Sequence, residues 1–100
     1  MEFQFIGWNN QDGHDTIWTS FIAEGNYYVA WGRRGAKLQF KKHGHHLMWA
    51  INGVVRKIEQ QKKEKGYKEV DKFLLFTLFP DFEEKVEQEL MVGILGGKVR

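Results

Sequence analysis

The chain has 100 residues, 42% of them hydrophobic and 15% aromatic, with a formal net charge of +2; this fits a single domain spanning 1–100 with apolar surface enough for one core, and it excludes wholesale disorder. There is no cysteine, which excludes disulfides and thiolate metal sites and agrees with a reducing compartment, so a cytoplasmic location is expected. No apolar stretch reaches the ~18 residues of a membrane span, and MEFQFIGWNN lacks the basic segment and apolar run of a signal peptide.

Glu2 to Trp8 alternates as a first strand, with Phe3 and Phe5 on one face and Gln4 on the other. Asn9 to His14, with Asn-Asn and Asp-Gly dipeptides, reads as a turn or short loop. Asp15 to Glu24 is a second strand carrying Ile17, Thr19, Phe21 and Ala23 on one side and Trp18, Ser20 and Ile22 on the other. Apolar residues on both sides predict a central strand covered on one face by a helix and on the other by aromatic rims or a partner. Gly25-Asn26 is a two-residue hairpin signal. The third strand is Tyr27 to Arg33, and Arg34-Gly35-Ala36 turns into a fourth, Lys37 to Lys41, with Leu38 and Phe40 inward and Lys37, Gln39 and Lys41 outward. Outward lysines also protect a sheet edge from pairing with another chain.

His43-Gly44-His45-His46 marks the change from a period of two to one of 3.6. Leu47, Ile51, Val54, Val55 and Ile58 then form the apolar stripe of a helix running to Lys65, with Gly53 as a point of close packing on the sheet and Gly66 as the stop. The apolar run Phe73 to Phe79, bounded by Pro80, is expected to be a buried strand, although Val70, Phe73, Leu74 and Leu78 also fit a helix face. Asp81-Phe82-Glu83-Glu84 is a capping-box pattern. The helix it opens carries Phe82, Val86, Leu90 and Met91 on one side and is expected to end near Gly93, with a loose tail from Gly96.

The small net charge hides an asymmetry. From Val29 to Lys68 there are eleven lysines and arginines against Glu59 and Glu64, a net +9, whereas from Glu69 to Glu89 two lysines face seven carboxylates, a net −5. A polyanion suits the basic part best. Within it, Tyr27 to Lys42 stands out, because strand alternation aims Trp31 and Arg33 the same way with Gly32 bare on the reverse face. An indole beside a guanidinium suits a nucleotide, one stacking on sugar or base and the other forking to phosphate. A strand tryptophan under a helix is equally an ordinary core residue.

Several features follow one order along the chain: Trp18 in an aromatic strand, the Gly25-Asn26 turn, Tyr27-Tyr28, Trp31-Gly32-Arg33, the strand Lys37 to Lys41, a helix, and Lys65-Gly66-Tyr67. In this the chain resembles the WGR domain, named for that tripeptide and known from poly(ADP-ribose) polymerases activated by DNA breaks and from small bacterial proteins. The resemblance covers residues 15–68 and leaves 69–100 as a C-terminal extension. It implies that Trp31 stacks on the sugar of a terminal nucleotide at a DNA break, and that Arg33 makes contacts around the DNA end and between domains.

No chemistry of another kind is signalled. His43, His45 and His46, even with His14, match no metal-ligand spacing, Ser20 lacks a Gly-x-Ser-x-Gly elbow, and Gly93, Gly96 and Gly97 sit at a helix end rather than in a phosphate loop. No metal, cofactor or catalysis is expected. The expected architecture is α+β: an antiparallel sheet of four or more strands, a long amphipathic helix packed across it, and a C-terminal strand plus helix. The expected function is non-catalytic binding of nucleic acid, DNA ends or structured DNA ahead of RNA, through Trp31, Arg33, Arg34, Lys37, Lys41, Lys42, Arg56 and Lys63. The alternative is a protein-interaction or self-association module using residues 73–91.

Overall fold

The computed structural model describes residues 1–45 and 53–99, and the side chains of all of these except 54, 55 and 93–99. Five strands, β1 (Glu2–Asn9), β2 (Thr16–Ala23), β3 (Asn26–Arg33), β4 (Gln39–His45) and β5 (Lys68–Glu69), form one antiparallel sheet in the order β4-β3-β2-β1-β5. The described helices are α1 (Val54–Glu64), α2 (Lys72–Leu78) and α3 (Phe82–Val99). None is long and apolar enough to cross a membrane.

The middle strand is β2, and its two apolar faces are both used. Ile17, Phe21 and Ala23 join Ile6, Ala30 and Leu38 under the residues Leu75, Leu78, Phe79, Phe82 and Val86 of the C-terminal helices and their junction. Phe3, Phe21 and Phe82 meet ring to ring there, with centroids 5.9 to 6.2 Å apart. On the reverse face Trp18 joins Phe5 and Val29, with Ile58 of α1 and Tyr67 packed against them. The sheet is therefore the middle layer of three, which is why β2 needs apolar residues at nearly every position.

Phe3 and Phe5 were expected on one face and lie on opposite ones. The register with β2 slips between them, Phe3 pairing with Phe21 and Phe5 with Ser20, so the extra residue Gln4 forms a bulge that turns Phe5 to the α1 side. The β2–β3 turn is Glu24-Gly25 rather than Gly25-Asn26. Both turn residues have positive φ, 52° and 75°, and Asn26 already pairs with Ala23. β4 begins and ends later than predicted, since a second bulge, between Tyr27 and Tyr28 in the pairing register, keeps His43 to His45 in the strand instead of in a break.

Of the predicted helix from Leu47, the first part through Ile51 lies outside the described residues, and Ile58 is the stripe residue whose packing is described. Gly53 is the N-cap of α1 with a φ of +66° and nothing within 4 Å of a built Cβ, so it serves a left-handed backbone rather than close packing. At the other end Gly66 N–H donates to Lys63 O and Tyr67 N–H to Lys62 O, both at 3.1 Å, the paired bonds that close a helix and turn the next residue back over it.

The run predicted as a buried strand is α2, capped by Asp71, whose carboxylate accepts the Leu74 amide at 3.0 Å. A helix wins because only one side of the run meets the sheet: Leu75 and Leu78 are buried while Phe73 is 72% exposed. The last helix continues through Gly93 to Val99, past the predicted stop and into the predicted tail, and Met91, expected on its inner side, is exposed.

Candidate nucleic-acid interface

Alternation in β3 places Tyr27, Val29, Trp31 and Arg33 on the α1 side of the sheet and Tyr28, Ala30 and Gly32 on the other. The returning chain packs closely on Gly32: a Cβ there would stand 3.2 Å from Leu38 Cδ2 and 3.4 Å from the Lys37 carbonyl, so Leu38 would have to give by a few tenths of an ångström. On the α1 side Trp31 stands opposite Trp18 of β2 and Gln39 of β4, Arg33 opposite Thr16, and Val29 opposite Lys41. Trp18, on the middle strand, is buried; Trp31, one strand further out, is half-buried and Arg33 is exposed. Trp31 thus packs on the Trp18 cluster while part of its surface stays open to a ligand.

The helix that flanks this surface is held down by a carboxylate. Glu59 Oε1 accepts from Ser20 Oγ at 3.1 Å and from the Tyr27 hydroxyl at 3.2 Å. Burial, with the Glu59 charge adding to it, pushes the Tyr27 phenol far above its ordinary pKa against the opposing bond to Ser20. Turning Glu59 inward removes one of the two acids of the basic segment from the outer surface of α1. That outer surface carries Arg56, Lys57 and Lys63, all exposed, against Glu64, and exposed Lys65 is the C-cap of the helix.

Lys62 sits between these layers. Its Nζ lies 5.5 Å from the Trp18 ring centroid and 5.8 Å from that of Tyr67, while Lys63 Nζ lies 5.4 Å from the Phe5 ring. Burial, and secondarily the charge of Lys65, pushes the Lys62 amine below its ordinary pKa. The helix-closing bonds bring Tyr67 onto the same face, where its hydroxyl shares a 3.2 Å hydrogen bond with Thr16 Oγ1 beside Arg33.

Comparisons of the chain with protein-family models, curated proteins and solved structures gave no match. The likeness to WGR domains therefore stands on the residues quoted for it.

Of the eight residues expected to form the interface, Trp31, Arg33 and Lys41 share one sheet face, and Arg56 and Lys63 lie on the helix over that face. Three others are placed elsewhere. Lys42 lines a hollow of about 320 Å³ with Tyr28, Phe40 and Glu89, against α3 on the reverse face. Lys37 lines a neighbouring hollow with Lys85 and Glu89. Arg34 donates from Nη2 to Asp15 Oδ2 at 2.7 Å, and the other Asp15 oxygen accepts the Trp8 indole N–H at 2.9 Å, so this arginine braces the β3 end against β1 and β2.

Sequence reasoning missed Lys62, Tyr67 and Thr16. The signal for Lys62 was present, since it follows Ile58 by four residues and falls on the apolar stripe. Tyr67 entered only within Lys65-Gly66-Tyr67 of the resemblance, and its meeting with Thr16 across 51 residues left no local pattern. Among the described residues no cluster of three or more His, Asp or Glu is arranged to hold a metal ion. Half-buried His43 sits below its ordinary pKa through burial and the nearby Lys41 charge, so it takes up a proton only at a lower pH than a free histidine.

Proposed function

We propose that this domain binds nucleic acid without catalysis, taking the end of a DNA duplex on the α1 side of its sheet. The observation that carries this is the separation of charge across the sheet: α1 and the Trp31 face lie on one side, and acidic α3, with Glu83, Glu84, Glu87 and Glu89, is packed on the other. Apart from Lys37 and Lys42, which stand near Glu89, the cations of the basic segment are kept apart from the acidic helix, so most of that positive charge is not neutralised by it.

In this reading Trp31 stacks on the terminal sugar or base, Arg33 forks to a phosphate beside it, and Lys41, Arg56, Lys57 and Lys63 follow the backbone. The hydroxyls of Thr16 and Tyr67 are placed to accept or donate near Arg33. Nothing in this set reads base identity, so binding has little sequence preference.

Titration of blunt, recessed, nicked and single-stranded oligonucleotides at two salt concentrations tests the proposal. With about four to six phosphate contacts, affinity falls by roughly two to three orders of magnitude between 50 and 200 mM salt, and ends bind more tightly than a closed circle of the same sequence. No binding at 50 mM salt defeats the reading.

A further inference from the structure

The side of the molecule away from α1 carries an apolar surface rimmed by carboxylates. On α3, Leu90 is half-buried, and Met91 and Val92 are 64% and 57% exposed, next to one another. Leu90 and Met91 floor a hollow of about 380 Å³ between α3 and the β2–β3 turn, rimmed by Glu24, Glu84 and Glu87. An adjoining hollow of about 280 Å³ shares Leu90, Glu24 and Glu87 and extends the floor to Met1, Ala23 and Val86, with Glu83 on its edge. Among the described residues, no lysine or arginine lines either hollow.

Three physical facts select an occupant for this trough. Exposed adjoining apolar side chains mark a contact surface, and a methionine in the floor adapts to whatever shape enters. The carboxylates Glu83 and Glu84 stand one turn before Glu87, a like-charge spacing that disfavours the helix until a cation comes between them. The hollows, about 380 and 280 Å³, have room for apolar side chains of an inserted segment.

We propose that this trough docks a basic amphipathic segment of another protein. The segment inserts a large apolar side chain against Leu90 and Met91 and sets lysines or arginines against Glu24, Glu84 and Glu87. Because the trough and the Trp31 face lie on opposite sides of the sheet, nucleic acid and this partner are held at the same time. The domain then acts as a link between the two. The docking surface does not depend on the nucleic-acid reading.

The test uses the full chain and an amphipathic helical peptide of leucine and lysine, with its leucine–glutamate counterpart and a version whose leucines are replaced by serine. The leucine–lysine peptide is expected to bind by fluorescence anisotropy and the other two not to. Glu87→Lys and Met91→Ser should each lower its affinity severalfold, with the melting temperature preserved because both side chains are exposed. Duplex DNA binding should be unaffected by Met91→Ser, so loss of one activity is told apart from loss of the other. Binding that follows peptide charge alone, indifferent to Met91→Ser and to the leucines, overturns the proposal. So does sedimentation showing a dimer that Met91→Ser dissociates, since the occupant is then a second copy.

Discussion

Replacing Trp31 by alanine separates the stacking role of this residue from its packing role. Trp18 supplies the scale, being 5% exposed between Phe5, Val29 and the Lys62 ammonium, so Trp18→Ala forfeits the full cost of a buried aromatic, about 3–5 kcal/mol. Trp31 leans on the same cluster but is only partly buried, so its truncation costs somewhat less than that of Trp18, about 2–4 kcal/mol. At about 4–8 °C per kcal/mol for a domain of this size, Trp31→Ala lowers the melting temperature by roughly 8–32 °C and stays folded at 25 °C, whereas Trp18→Ala approaches the whole stability of the domain. Loss of the stack costs about 1–3 kcal/mol of binding, a fivefold to 150-fold weakening. Thermal melts and anisotropy with blunt-ended duplex and closed circular DNA, run on both variants, give the two numbers. A Trp31→Ala protein that melts lower yet binds ends as tightly as the parent refutes the stacking role and leaves the cations alone to carry binding.

Lys41→Ala, on the Trp31 side of β4, should weaken all duplexes alike and reduce the steepness of the salt dependence by about one; Lys37→Ala, turned toward α3, should leave DNA binding nearly unchanged, and Arg33→Ala should weaken ends more than closed circles. Stability should fall as pH rises above 10: the unfolded phenol gives up its proton there while the Tyr27 phenol, with its raised pKa, keeps it. Lys62, displaced downward, acts in the opposite sense, so comparing denaturant midpoints of the parent and Tyr27→Phe across this range isolates the tyrosine. Gly7→Ala should destabilise by about 1–3 kcal/mol, because its Cβ would come within 2.7 Å of the Phe5 ring and 3.0 Å of Tyr67 Cβ; urea unfolding measures it, and an unchanged midpoint means that the β1–Tyr67 contact is loose.

The strands were legible because a sheet covered on both faces writes its period into the residues: β2 and β3 stand within one residue of their predicted bounds, and Trp31 and Arg33 share the predicted face. The two bulges were not, since an inserted residue changes the face of its neighbours only through the register of the partner strand, and neither Gln4 nor Lys42-His43 carries a local mark. The segment Phe73 to Phe79 shows the limit of pattern: it is apolar at nearly every position, and only its packing, with Leu75 and Leu78 against the sheet and Phe73 outward, decides for a helix.

For the candidate site, composition and order along the chain determined that a basic segment contains an aromatic–arginine pair; they said nothing of where the charges go. That was decided by α1 and the C-terminal helices taking opposite faces of one sheet, which sends Lys37 and Lys42 to the acidic side, turns Glu59 inward to Ser20 and Tyr27, sets Lys62 over Trp18 and Tyr67, and joins Tyr67 to Thr16. Each of these placements depends on residues far apart in the chain, so no local window of sequence contains it. A residue's type sets what it can bind, but the face on which the fold leaves it sets whether it does.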